Sequence, residues 1–287
     1  LKSVAMALPV FAMSCFKLPV SLCKRIQSAL TRFWWDGGDG KQKMAWISWE
    51  KMTLPKGYGG LGVRDIQAFN EAFLAKISVR LLDNPDGLLG RTLLPKYCPG
   101  GNLLKCTTPN GASHGWQSIL AGRDLLIKKL GWVLGDGAGV EIWDDPWLSL
   151  EEPSRPMGPA TRETAHLAVK DLRYPDSGEW NRDVIQAILP FEEERIMKLQ
   201  PSFKGAMDAL KWLGTIDGRY SVKSGYHAAM EEAVDEILED EAAVEFEWKK
   251  SVWNLKLAPK VKMFTWKSLK GILPVGERLL ERHIIVD

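Results

Sequence analysis

Paired aspartates, scattered histidines and cysteines, a glycine-rich loop and clustered lysines are the groups in this chain whose types suit chemistry. Asp144-Asp145 is the one adjacent aspartate pair. Carboxylates that hold two metal ions for in-line phosphoryl transfer need a hydrophobic strand to aim them, whereas this pair precedes Pro146 in a turn context. Residues 231–247 hold nine acids and no base, a contiguous block that reads as a solvated face rather than a converging site. His114, His166, His227 and His283 are dispersed and form neither HExxH nor a Cys/His metal spacing. Cys15, Cys23, Cys98 and Cys106 fall in two C-x7-C spacings, wider than zinc sites use, and read as reduced, buried thiols. No catalytic and no metal-ligating residue is assigned.

The lysines offer a different chemistry. At 100° per residue, a helix from Lys260 to Leu273 gathers Val261, Phe264, Trp266, Leu269, Ile272 and Leu273 into one broad apolar arc. Lys260, Lys267 and Lys270 fall opposite, Lys262 must snorkel, and Arg278 and Arg282 continue the positive charge past Pro274. Such a face suits a phosphate backbone, and it equally suits an ordinary amphipathic surface helix. Residues 248–287 carry nine bases against three acids, and residues 1–51 carry eight against three. The whole chain has a formal charge of only +2, so no global basic field marks a nucleic-acid binder.

Elements that position these groups follow from periodicity. Leu22, Ile26, Ala29, Leu30 and Phe33 share a face of a helix over 21–35, ended by Asp36-Gly37-Gly38-Asp39-Gly40. Asp65 caps a second helix whose Ile66, Phe69, Phe73, Ile77 and Leu81 share a face, stopped at Asn84-Pro85. The loop 55–62, with Gly57, Gly59, Gly60 and Gly62, lacks the GK[ST] of a phosphate loop and reads as tight turns. Two hairpins are expected, one around 135–139 and one around Asp217-Gly218. Ser221 or Ser224 is expected to cap a helix through Tyr226 and Met230. The thirteen tryptophans are mostly core anchors, with base-stacking platforms as the other use. The stretch 4–16 reads as a helix, with a signal peptide as the rival. No apolar run is long enough for a membrane span.

Trp248, Trp253, Pro259, Lys260, Phe264, Trp266, Leu273, Pro274, Leu279, Arg282 and His283 together resemble the reverse-transcriptase zinc-binding domain of plant non-LTR (LINE-type) retrotransposon reverse transcriptases. Phe33-Trp34-Trp35, Trp46, Trp49, Lys56, Gly59-Gly60-Leu61-Gly62 and Phe69-Asn70 resemble the thumb or connection region after the palm in the same elements. Trp116, Ser118, Ile119, the 143–147 W-x-D-P-W string and Gly218 to Tyr226 continue the likeness. The resemblance implies a mainly α-helical α+β protein. Its divisions would be a helical thumb-like region over 1–100, a hairpin-containing segment over 101–149, a linker and helices over 150–205, and the start of the zinc-binding-type module over 206–287.

The resemblance further implies a non-catalytic fragment that supports or contacts RNA or DNA through the basic C-terminal helices. The parent activity would be RNA-directed DNA synthesis. Lys260, Lys267, Lys270, Arg278 and Arg282 are the implied contacts. Trp248, Trp253, Pro259, Phe264, Trp266, Leu273 and Pro274 are the implied structural motif. Zinc and magnesium are implied only for the intact parent, because the chain opens on Leu1 without a palm and reaches Asp287 before the module's cysteine and histidine ligands. An intracellular setting without membrane contact is expected. The rival reading is a retroelement-derived interaction or scaffold protein.

Overall fold

The computed structural model describes residues 4–36, 43–158, 160–202, 206–240 and 246–276, together with Leu279. The chain forms two compact units, one built from residues 1–71 and 229–287 and the other from residues 72–228. The fold is mainly α-helical α+β, with one two-stranded antiparallel sheet among the described residues.

In the first unit a short helix α1 (Val10–Met13) leads into α2 (Val20–Trp35). Asn70 pins the turn between them: its Nδ2 donates to the carbonyls of Met13 and Phe16, and its Oδ1 accepts the Leu18 N–H. On α2, Cys23 and Leu30 are buried while Lys24, Arg25, Arg32 and Phe33 face solvent. Gln27, on the packed side, donates to Asp65 at 2.7 Å. Helix α3 (Trp49–Thr53) follows, capped by Ser48. Asp65 Oδ1 accepts the Ala68 N–H at 2.8 Å, so the expected cap starts α4 (Ile66–Asp83).

In the second unit α5 (Leu88–Tyr97) and α6 (His114–Ile127) pack with the end of α4 around Leu81, Cys98, Leu103, Trp116, Ile119 and Leu120. Gly122 permits a close helix crossing, since a Cβ there would lie 2.3 Å from the Leu74 backbone carbon. Ser78 Oγ donates to the Ile119 carbonyl at the same crossing. Burial pushes the Cys98 thiol up to about 11, with the neighbouring Cys106 thiol as a second cause, and all four cysteines are free.

The two expected hairpins do not form; one strand from each pairs with the other. β1 (Leu130–Val133) runs antiparallel to β2 (Ala209–Trp212), with Leu130 opposite Trp212 and Val133 opposite Ala209. The cause is Asp208, whose carboxylate accepts the N–H groups of Gly135, Gly137 and Gly139 at 2.8 to 2.9 Å. Three donors from alternate residues close on this one anion in the manner of a backbone nest, and the nest delivers β2 beside β1. The chain after the loop turns away, so that Val140 accepts from Val169 and Ile142 donates to Leu167. Gly135 is required, because a Cβ there would sit 2.1 Å from the Ala206 carbonyl oxygen.

The Asp217-Gly218 turn does close, with Gly218 at φ +68° and the Trp212 N–H on the Gly218 carbonyl. Ser221 Oγ then accepts the Ser224 N–H. That cap diverts residues 219–222 out of a strand and into α9 (Val222–Asp240).

The nest sits on a second core: Leu134, Val140, Ile142, Trp147, Leu148, Val169, Leu172 and Ile185, with Leu189 and Ile196 from around the short helices α7 (Arg182–Ile188) and α8 (Glu193–Lys198). Arg173 ties the loop to this core. Its guanidinium donates to the carbonyls of Gly135, Asp136, Gly178 and Ser202. The W-x-D-P-W string is structural here: Trp143 Nε1 donates to Thr164 O, Trp147 Nε1 donates to Ile142 O, and Asp145 accepts the Glu141 N–H.

Hydrogen bonds to a charged acceptor contribute about 1.5–3 kcal/mol each in buried settings. Asp208 is only partly buried and one of its three bonds is exposed, so Asp208→Ala is expected to lower the urea-unfolding free energy by about 2–4 kcal/mol, less than three full bonds would sum to. A loss under about 0.5 kcal/mol, the range of an ordinary surface change, would show that the nest does not hold the sheet.

Candidate nucleic-acid interface

Lys249–Trp253 forms a π-helical turn after Trp248, and α10 (Pro259–Leu269) starts with Pro259 at its first turn, where a missing N–H costs nothing. Three aromatic anchors from this stretch converge on the glycine loop near the other end of the chain. Trp266 is fully buried, and its Nε1 donates to the Gly59 carbonyl at 2.8 Å. Gly59 adopts φ +77°, and a Cβ on it would meet the Trp248 ring at 2.6 Å. Lys56 Nζ lies 4.7 Å from the Trp253 ring centroid. The loop is thus a set of tight turns, as its sequence suggests, and also the seat of the C-terminal tryptophans.

That seat reverses the expected faces of α10. Only Trp266 and Ile272 of the six apolar positions are buried, whereas Val261, Leu269 and Phe264 are exposed, Phe264 by 61%. Leu273 is half-buried. The packed side is instead supplied by lysines. Lys262 Nζ donates to the Trp253 carbonyl at 2.8 Å. Lys267 Nζ lies 5.2 Å from the Trp35 ring centroid, and Lys270 Nζ lies 5.0 Å from that of Trp248. A lysine has an apolar stem and a cationic tip, so it packs well on an indole face. A heptad-style reading scores it only as polar, which is why the helix was expected the other way round.

Of the five cations singled out, Lys260 is exposed, Lys267 and Lys270 are half-buried over rings, and Arg278 and Arg282 lie outside the described residues, as does His283. Pro274 is exposed and follows α10. The acidic residues Glu231, Glu232, Asp235 and Glu236 occupy exposed positions of α9. Among the described residues no three of histidine, cysteine, aspartate and glutamate gather at one point. Gly111 to Gly115 has the G-x-S-x-G spacing of a nucleophile elbow. Its Ser113 instead accepts the Trp116 N–H as the N-cap of α6, and no strand precedes it among the described residues.

Residues 220–287 match the family described as zinc-binding in reverse transcriptase. An uncharacterised mitochondrial protein of Arabidopsis thaliana is 43% identical over 153 residues, which are 53% of this chain and 99% of that protein. A putative ribonuclease H protein of the same plant is 31% identical over 295 residues, covering 99% of this chain and 46% of that protein. No solved structure matches.

The chain belongs to the plant retrotransposon reverse-transcriptase family, its residues 220–287 falling in the zinc-binding domain. It spans about half the length of the second relative. The matched span contains His227 and His283 but no cysteine. No helix among the described residues is long and apolar enough to cross a membrane.

Gly59→Ala should be costly for two reasons, positive φ and a clash with an indole. A loss of about 2–3 kcal/mol is expected in chemical unfolding. Gly100→Ala, whose Cβ would meet open space, should cost far less. Equal effects of the two would mean the loop is not a seat.

Proposed function

We propose that this chain is a non-catalytic, nucleic-acid-contacting part of a retrotransposon reverse transcriptase. The observation that carries this reading is the exposed surface of α10, where Phe264 projects into solvent beside Lys260 on a helix with no acidic residue. An exposed ring is a stacking platform for an unpaired base, and neighbouring cations neutralise phosphates. Lys267 and Lys270 hold their ammonium groups over the rings of Trp35 and Trp248, which adds positive charge to the same helix.

Catalysis has no support in the residues that could have carried it. Asp145 is engaged by the Glu141 N–H in a turn, and Lys105 sits 4.0 Å from Asp144 and 2.8 Å from Glu141 in an exposed surface cluster. The scaffold reading is favoured by exposed Leu8 and Phe11 on the first unit, which suit contact with another protein.

Fluorescence anisotropy with a labelled oligonucleotide tests the proposal. Five cationic contacts on a duplex correspond to a log–log salt slope of about −4.5. Phe264→Ala should weaken single-strand binding about tenfold, as loss of one stacked base does, with little effect on duplex. No binding at 50 mM salt (about the low-salt limit of such assays) would refute the nucleic-acid role and leave the scaffold reading.

A further inference from the structure

α2 carries a cationic strip that the C-terminal residues do not account for. Within the helix there are three basic residues, Lys24, Arg25 and Arg32, and no acid. Taking 100° per residue, Arg25 and Arg32 lie within about 20° of each other on one face, two turns and about 10 Å apart. Ser21 and Ser28 flank them on one side, with Lys24 beyond, and Phe33, 67% exposed, stands on the other.

The packed side of the helix lies opposite. Cys23 and Leu30 are buried there, and Gln27 meets the only carboxylate that α2 contacts by hydrogen bond among the described residues, Asp65. None of the three cations is paired with a described carboxylate, so their charge is not consumed within the fold.

We infer that this strip binds the phosphodiester backbone of a single nucleic-acid strand, with Phe33 stacking on an unpaired base. The inference rests on the nucleic-acid reading above and extends it to a second element. Three observations favour it. Spacing comes first: Arg25 and Arg32 sit about two turns and about 10 Å apart along the helix axis, a separation that lets their long side chains reach neighbouring phosphates of one strand. Composition comes second, since hydroxyls and an exposed ring beside arginines give donors for phosphate and a face for a base. Continuity comes third. Lys267 of α10 lies over the ring of Trp35 at the C-terminal end of α2, so the two cationic elements meet within one unit and a strand can pass from one to the other.

The triple variant Lys24→Gln, Arg25→Gln, Arg32→Gln changes exposed side chains only, and its urea midpoint should equal that of the native chain. With a single-stranded oligonucleotide, affinity at low salt should fall at least tenfold, and the log–log salt slope should shrink by about 2, the value for three lost contacts on a single strand. Phe33→Ala should weaken single-strand binding and spare duplex. If the native chain binds and the triple variant binds equally well, the strip is excluded while the α10 reading stands. If the native chain binds no oligonucleotide, both readings fall. Loss by the triple variant of binding to phosphatidylserine vesicles, with no oligonucleotide binding by the native chain, would reassign the strip to a lipid surface and overturn the inference.

Discussion

A buried indole N–H that finds a partner fixes position as well as volume, and in this chain the Trp266 N–H finds the carbonyl of Gly59. That single bond spans 207 residues of sequence and joins the glycine loop to α10. It works because Gly59 has positive φ and no side chain, which leaves room for Trp248 to lie against it. Lys270 then closes over Trp248, Lys56 over Trp253 and Lys267 over Trp35. The buried indole N–H groups of Trp49 and Trp116 have no hydrogen-bond partner among the described residues, so these rings act through packing. Trp266 does both.

Two clusters of motif residues, far apart in sequence, thereby become one structure. The Lys56 to Gly62 string and the Trp248 to Trp266 string are complementary halves: backbone turns on one side, rings and lysine stems on the other. A chain carrying only one half would leave three tryptophans or a bare glycine loop without a counterpart. The second unit uses a similar device with opposite chemistry, since there a carboxylate, Asp208, draws in three backbone donors. In both places glycines supply the close approach.

How much of this was legible in the sequence depended on whether the cause was local. The N-caps at Asp65 and Ser221, the stop at Asn84-Pro85 and the turn at Gly218 were readable, because each is decided by residues within a few positions. The pairing of β1 with β2 was not, since it is set by a carboxylate some seventy residues from the loop it binds, and local periodicity favoured two hairpins instead. The inversion of α10 was hidden for a different reason. Helical periodicity assigns lysine to solvent, and nothing in the local pattern reveals that indoles elsewhere in the chain present faces to receive it. The α2 strip was visible only as an excess of base over acid in residues 1–51; the structure turns that count into a face.

The central claim is that the glycine loop and the C-terminal tryptophans stabilise each other as one cooperative unit. Native-state hydrogen exchange on the Trp266→Phe variant, which removes the N–H and keeps most of the ring, tests it most directly. The account predicts faster exchange both in α10 and in the amides of Gly60 to Val63, two of which, Leu61 and Val63, donate to Met52 of α3. Faster exchange confined to α10, with the loop as protected as before, would contradict it.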